Sequence, residues 1–422
     1  MAERRPAWCY RRTSDLTRDE AEALDRADEL AAFRERFVIP DGVIYLDGNS
    51  LGPLPKATAT RVAQVVEQEW GQSLIRSWTD HGWIDLPMRV GEKIGQLIGA
   101  ASGTTVVADS TSVNLFKLLA AALDLRPDRK AILTEQGNFP TDLYMAQGLT
   151  ALLQRGHVLR SVPATDLLTA LDRQVAVLML THVNYRSGAM HDMAALTRAA
   201  HRVGALVLWD LSHSVGAMPL RLAADDVDLA VGCGYKYLNG GPGAPAFLHV
   251  AQRLQADLRL PLTGWLGHAE PFAFEDLYRP ACGIARAVVG TPPILSLAAL
   301  DVGVDVSLQT SMLIVREKSL RLASMFIALM ESEPGFNLLT PRSADLRGSQ
   351  VSFAHPQGYA IMQALIKRGV IGDFRAPDVL RFGLAPLYVR FVDVWDAVST
   401  LRDVMRENAW HDPRFQQRRS VT

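Results

Sequence analysis

Short apolar runs alternate with amphipathic segments through the middle third of the chain, the pattern of parallel βα units. Residues 175–180, Val-Ala-Val-Leu-Met-Leu, hold no polar position, which predicts a strand covered on both faces. Apolar positions three and four apart over residues 192–203 predict the crossover helix that follows, with Asp192 placed to cap it. Residues 206–209 and 227–231 repeat the buried-strand pattern. Nearer the N-terminus, residues 16–37 are charged and alanine-rich with helical spacing, and read as a helical arm ending before Pro40. A short strand over 43–46, the turn-rich Asp47-Gly48-Asn49-Ser50-Leu51-Gly52-Pro53 and a helix over 57–70 come next. Beyond residue 300 the pattern changes to one long helical stretch over 300–331. Strands at 350–353 and 379–382 follow, with helices at 358–368 and about 392–405. The predicted fold is α/β: an N-terminal arm (1–56) packing with the small domain, a large domain with a mainly parallel sheet (57–302), and a smaller α+β domain (303–422).

Composition narrows the ligand class. Of 422 residues 21% are charged and the formal net charge is −1, so no basic field is available to gather nucleic acid or an anionic membrane. A small-molecule ligand is the expectation. Cys9, Cys233 and Cys282 are too few and too scattered for a disulfide framework or a zinc site, which fits a reducing compartment and no metal. Arg4, Arg5, Arg11 and Arg12 are followed by Asp15, Asp19, Glu20 and Glu22 rather than by an apolar leader segment, and no run of about 18 apolar residues could span a bilayer. A cytoplasmic location is expected.

Ligands of open α/β sheets bind beyond the carboxyl ends of the strands, so polar residues directly after the apolar runs carry the candidate chemistry. In Trp209-Asp210-Leu211-Ser212-His213 a carboxylate ends a buried strand. It suits pairing with a cationic ring nitrogen, with His213 orienting it or approaching a phosphate; a helix N-cap and a structural histidine are the bland alternative. Gly232-Cys233-Gly234-Tyr235-Lys236-Tyr237 sets a lysine among glycines that permit close backbone approach, 26 residues after Asp210. Pyridoxal 5′-phosphate (PLP) chemistry needs such a pair, one lysine for the Schiff base and one acid on the ring nitrogen. A lone surface lysine is the commoner object, and the company of Asp210 and His213 argues against it. Asp109-Ser110-Thr111-Ser112-Val113-Asn114 opens the apolar helix 115–123, and its hydroxyls and N–H groups suit a phosphate or, more simply, an N-cap. No dinucleotide glycine motif, Walker A lysine or His-Glu-x-x-His is present.

With these residues assembled, the chain resembles the kynureninases, PLP-dependent hydrolases of tryptophan catabolism, in their bacterial form. The resemblance runs from about Tyr45 to Val394. It rests on Gly48-Asn49-Ser50-Leu51-Gly52, Asn138-Phe139-Pro140-Thr141-Asp142, Thr181-His182-Val183-Asn184-Tyr185-Arg186-Ser187-Gly188 and Val231-Gly232-Cys233-Gly234-Tyr235-Lys236-Tyr237-Leu238-Asn239-Gly240-Gly241-Pro242-Gly243, in family order.

The resemblance implies the aminotransferase-like fold type I, with a seven-stranded sheet, and conversion of L-kynurenine to anthranilate and L-alanine. It implies Lys236 as the Schiff-base lysine, Asp210 as partner of the ring nitrogen and His213 beside it. Thr111, Ser112 and Tyr235 match phosphate contacts, Phe139 the stacking aromatic, with Asp142 close by; Tyr235 is also a candidate for proton transfer. Trp265 and Thr291 match residues lent by the second subunit of a homodimer whose active site lies at the interface. Arg375, in Gly372-Asp373-Phe374-Arg375, matches the arginine that grips the substrate α-carboxylate, and Asn49 and Ser50 match substrate contacts. Animal forms, which favour the 3-hydroxylated substrate, carry asparagine where this chain has Thr291, so unhydroxylated L-kynurenine is expected. A cysteine desulfurase on the same fold is the nearest rival, with Cys282 its only candidate nucleophile. A non-catalytic binding module would be expected to lack Lys236, Asp210 or Arg375.

Overall fold

The computed structural model describes residues 16–418, so Cys9 and the arginines at 4–12 lie outside the described residues. By contact the described residues divide into two compact units: residues 55–185 with 191–310, and residues 16–54 with 186–190 and 311–418.

The first unit is built on a seven-stranded sheet. Its strands in chain order are β1 (Thr105–Val107), β2 (Ala131–Glu135), β3 (Val158–Val162), β4 (Val175–Thr181), β5 (Leu206–Asp210), β6 (Leu229–Gly232) and β7 (Phe247–Val250). They lie side by side as β1-β7-β6-β5-β4-β2-β3, with β7 antiparallel to both neighbours and the other pairs parallel. Every residue of β4 is buried, as its unbroken apolar run requires. The helix Met193–Arg202 starts where predicted, Asp192 Oδ1 accepting from the Ala195 N–H at 2.9 Å. Leu115, Leu118 and Leu119 of the helix Thr111–Asp124 share one buried cluster with Ile132, Val177, Leu208, Val231 and Leu248 of the sheet.

Two helical expectations are corrected. The helix expected over 57–70 is an α-helix only over Lys56–Gln64 and widens to a π-helix over Val65–Ser73. The wider turns set buried Glu69 against Trp83 Nε1, which donates at 2.7 Å, and against the guanidinium of Arg61. The stretch expected as one helix over 300–331 is two, Ile294–Leu308 and Met312–Met330. Ser311 adopts an extended backbone between them and its Oγ accepts from the Leu313 N–H at 3.2 Å, so the polar run Gln309-Thr310-Ser311 ends one helix and caps the next.

The second unit carries a four-stranded antiparallel sheet in the order Asn337–Leu338, Gln350–Ala354, Val379–Gly383, Asp373–Arg375. The helices Gly358–Lys367 and Phe391–Arg406 fall where the periodicity placed them. The N-terminal arm is a helix, Arg18–Arg26, opened by a Thr17/Glu20 capping box, followed by a 3₁₀ turn over Ala31–Arg36. Asp25 accepts from the N–H groups of Phe391 (2.7 Å) and Val392 (2.9 Å), so the arm caps the last long helix. Residues 186–190 join this unit through Gly348 N–H to Gly188 O (2.8 Å) and Met190 N–H to Leu346 O (2.9 Å). Among the described residues no single helix is long and apolar enough to cross a membrane.

Candidate active site

The parallel register aligns Thr181 with Asp210 and Asp210 with Val231, which brings the carboxyl ends of β4, β5 and β6 to one edge of the sheet. Asp210 is 4% exposed, and its Oδ1 accepts from the Ser212 N–H at 2.8 Å. No helix starts at Asp210, so the N-cap alternative falls away and a local Asp turn takes its place. Burial pushes the Asp210 carboxyl up, against the Ser212 hydrogen bonds and the cation of Lys236, which favour the anion. Asp142 enters the same pocket from the start of the helix Pro140–Leu153 and is wholly buried. Thr181 Oγ1 lies 3.1 Å from its Oδ2 and also within hydrogen-bonding reach of Asn138 Oδ1, whereas Asp142 Oδ1 has no hydrogen-bond partner among the described residues. Burial first and the Asp210 charge second raise Asp142 well above the usual carboxylate range. Two acids so placed favour a cationic guest between them.

Lys236 supplies part of that charge. Its Nζ sits 5.7 Å from the Phe139 ring centroid and 5.9 Å from that of Tyr235. Phe139 itself stands edge-on to Tyr185, with centroids 5.2 Å apart. The loop holding the lysine is folded too tightly for side chains at its glycines. A Cβ on Gly234 would come within 2.5 Å of Pro245 O, and one on Gly303 within 2.1 Å of Leu238 O, so the helix Ile294–Leu308 lies directly on the loop. His213 is buried and packs near Tyr237 (centroids 6.5 Å). Burial, with Cys233 and Asp210 adding to it, pushes the Tyr235 phenol up, which keeps it neutral.

Thr111 and Ser112 form the first turn of the helix Thr111–Asp124, with Ser110 Oγ accepting from the Val113 N–H at 3.4 Å. The chain enters that turn through Asp109, whose φ of 49° is left-handed. A residue the sequence reading passed over holds it there: Lys117, fully buried, donates to Asp109 Oδ2 at 2.6 Å and to Ala287 O at 2.9 Å. Its signal was available, as a lone lysine inside the apolar stretch 115–123.

The second unit contributes its own polar cluster. Asp373 Oδ2 accepts from Ser50 Oγ at 2.6 Å and pairs with Arg375 Nη2 at 2.8 Å. Arg381 grips both oxygens of Asp373, Nε donating to Oδ1 at 2.6 Å and Nη2 to Oδ2. Asn49 is fully buried, its amide oxygen and nitrogen without hydrogen-bond partners among the described residues, and a Cβ on Gly383 would lie 2.2 Å from its Oδ1. Trp265 is 38% exposed and packs edge-on to exposed Phe272 (centroids 5.6 Å), and Thr291 is exposed ahead of the helix Ile294–Leu308. The fold therefore gathers Lys236, Asp210, Asp142, Phe139 and Tyr235 in one cluster of the first unit, and Ser50 with Arg375 in one cluster of the second.

Comparison with known proteins was made on both sequence and shape. Residues 315–401 match the family model described as the kynureninase C-terminal domain. The kynureninase of Burkholderia pseudomallei (strain 1106a) is 55% identical over 415 residues, spanning 96% of this chain and 100% of that protein. The kynureninase of Pseudomonas fluorescens is 51% identical over 414 residues, with the same coverage. Among solved structures, a C-DES mutant with glycine covalently linked to its PLP cofactor superposes with a TM-score of 0.78 at 17% identity, covering 88% of this chain and 99% of that one. The apo cysteine desulfurase of Thermococcus onnurineus NA1 gives a TM-score of 0.76 at 17% identity, covering 89% and 98%. At that identity the shared feature is the fold, the PLP-dependent fold type I, on which chemistries differ. Identity above one half across nearly the whole chain decides the rest: this protein belongs to the kynureninase family.

Proposed function

We infer that the protein hydrolyses L-kynurenine to anthranilate and L-alanine, consuming one water, with PLP as its cofactor. The observation that carries this reading is the Lys236 amine in one pocket with two buried carboxylates, Asp210 and Asp142. The donor set fits PLP. Lys236 suits its aldehyde, Asp210 its ring nitrogen, Phe139 a ring face, and Thr111 and Ser112 at a helix start, with Tyr235 from the lysine loop, its phosphate. Asp142 Oδ1, buried without a hydrogen-bond partner among the described residues, is a further acceptor in the same cluster.

When bound, PLP supplies an electron sink for the negative charge that develops on the substrate as the Cβ–Cγ bond breaks. Lys236 Nζ would hold the cofactor aldehyde, and its amine is the base placed to take the substrate Cα proton. Asp210 would keep the ring nitrogen protonated, and His213 is the neighbouring residue proposed for the cofactor site. Arg375 binds the α-carboxylate through its planar fork, with Ser50 and Asn49 as neighbouring substrate contacts. Trp265 and Thr291 act from the second subunit of a homodimer, and their exposure in the single chain supports that assignment. The setting proposed is cytoplasmic. Cysteine desulfuration is disfavoured because Cys233 is buried with its thiol pushed up, and the exposed Cys282 sits in no thiolate-stabilising pattern.

The direct test adds L-kynurenine to PLP-loaded protein and follows anthranilate fluorescence, with 3-hydroxykynurenine in parallel. Fast anthranilate release from the unhydroxylated substrate is expected, and no product from either would overturn the reading. Thr291→Asn is expected to shift the ratio of kcat/KM values toward the 3-hydroxylated substrate by about tenfold, the worth of one hydrogen bond. Lys117→Met should weaken PLP binding about tenfold, because the Asp109 turn that presents the phosphate site loses a charge-assisted bond. Equilibrium dialysis reads this, and an unchanged affinity would remove Lys117 from the site's support.

A further inference from the structure

Four charged side chains meet in the second unit: Asp47, Asp373, Arg375 and Arg381. Asp47 is fixed by its backbone, its carbonyl accepting from the N–H groups of Ser50 (2.9 Å) and Leu51 (3.0 Å), and it forms a parallel bridge with Gly383. Its Oδ1 is buried without a hydrogen-bond partner among the described residues. Asp373, by contrast, is saturated: Ser50, Arg375 and Arg381 all converge on its Oδ2. With both acids ionised the cluster is neutral, and Arg375 has no net charge to offer an incoming anion. With Asp47 protonated the cluster carries one positive charge, which a carboxylate on Arg375 would neutralise.

We propose that Asp47 is a positioning residue for the substrate α-carboxylate, taking up a proton from solvent as Arg375 engages that group. This rests on the assignment of Arg375 above. The groups facing Asp47 are Asp373 and Arg375 on one strand, Arg381 on the next, Ser50 on its own turn and Tyr45 just before it. Burial, then Asp373, pushes the Asp47 carboxyl up to about 7, against the hydrogen bond of Ser50 and the charges of Arg381 and Arg375. Asp373 is the ionised partner: burial opposes its charge, but Arg381 and Arg375 outweigh burial and hold it below the usual range. Tyr45, which donates to Leu51 O at 2.6 Å, is pushed up by burial and by both acids and stays neutral. The sign follows. Below about 7 Asp47 is protonated and the carboxylate is welcome; above it Asp47 ionises and affinity falls.

Desaminokynurenine keeps the carboxylate and lacks the α-amine, so its inhibition constant on the holoenzyme reads this linkage without amine titration. From pH 6 to pH 9 that constant is expected to rise by about tenfold more in the wild type than in Asp47→Asn, which should stay near the wild-type acid value. Parallel profiles in the two proteins would overturn the proposal. Asp47→Ser, with a smaller neutral side chain, should be as flat as Asp47→Asn. Independently of any variant, calorimetry in two buffers of different ionisation enthalpy should find net proton uptake by the wild type on binding this inhibitor at pH 7.5; zero uptake would sink the idea. Arg375→Ala separates the two layers. If it leaves the inhibition constant unchanged, the carboxylate assignment itself is wrong; if it raises the constant while Asp47→Asn still tracks the wild type, only the proton linkage fails.

Discussion

Replacing Lys236 with alanine is expected to lower the turnover of L-kynurenine by about 10⁴-fold or more, because on the proposed assignment one nitrogen atom serves both as the cofactor's covalent anchor and as the base. The fold should survive. The loop's tight path is set by Gly234, Gly240 and Gly303, and by the Gly240 N–H bond to Gly234 O at 2.9 Å, none of which involves the lysine side chain. Single-turnover anthranilate fluorescence is the measurement, with small primary amines added to restore part of the rate. A variant within tenfold of the wild type would show that the amine is dispensable and the site has been misassigned.

Asp210→Asn should cost about 3–5 kcal/mol of transition-state stabilisation, a factor of about 10³ in kcat, since on the proposed assignment it removes one partner of a buried charge pair with the ring nitrogen. The substitution is nearly isosteric, and its amide oxygen can keep the bond from the Ser212 N–H that now reaches Oδ1 at 2.8 Å. PLP should therefore still bind. The loss should appear in the proton-abstraction step, read as slowed exchange of the substrate α-hydrogen with solvent deuterium. If that exchange keeps its wild-type rate, the ring nitrogen draws its proton from another group, and Asp142 in the same pocket becomes the candidate.

How much of this was legible beforehand depended on whether the signal was local. The buried strands announced themselves because an unbroken run such as 175–180 has few other places to go. Asp210 and Lys236 drew attention because the fold rule directs it to strand ends: Asp210 ends β5, and Lys236 lies in the loop directly after β6. The helix break at Ser311 had a local signal too, the polar run Gln309-Thr310-Ser311 with a capping serine directly before an apolar stretch, and it was passed over because the apolar runs on either side are long. Lys117 sat in plain view, yet its partner Asp109 is eight residues back and its other contact, Ala287 O, lies 170 residues away. The cluster around Asp373 was hidden for the same reason. Ser50 and Asp373 are 323 residues apart, and the pairing that joins them is a property of the folded sheet rather than of any window of sequence. The motif Gly372-Asp373-Phe374-Arg375 pointed at the arginine; the aspartate that fixes its direction was two letters away and unread.

The bond from Asp25 to the N–H groups of Phe391 and Val392, with Trp395 Nε1 donating to Leu16 O at 3.0 Å, ties the first described helix to the last long one. On a ribosome that bond cannot form until Phe391 has been made, 366 residues after Asp25. The helix Arg18–Arg26 must wait through that span before its acid finds this partner. All seven strands β1–β7 lie within the span and can pair in the meantime. A chain stalled before residue 390 would leave that helix without its dock, presenting a ready mark of unfinished synthesis to any protease that samples nascent proteins.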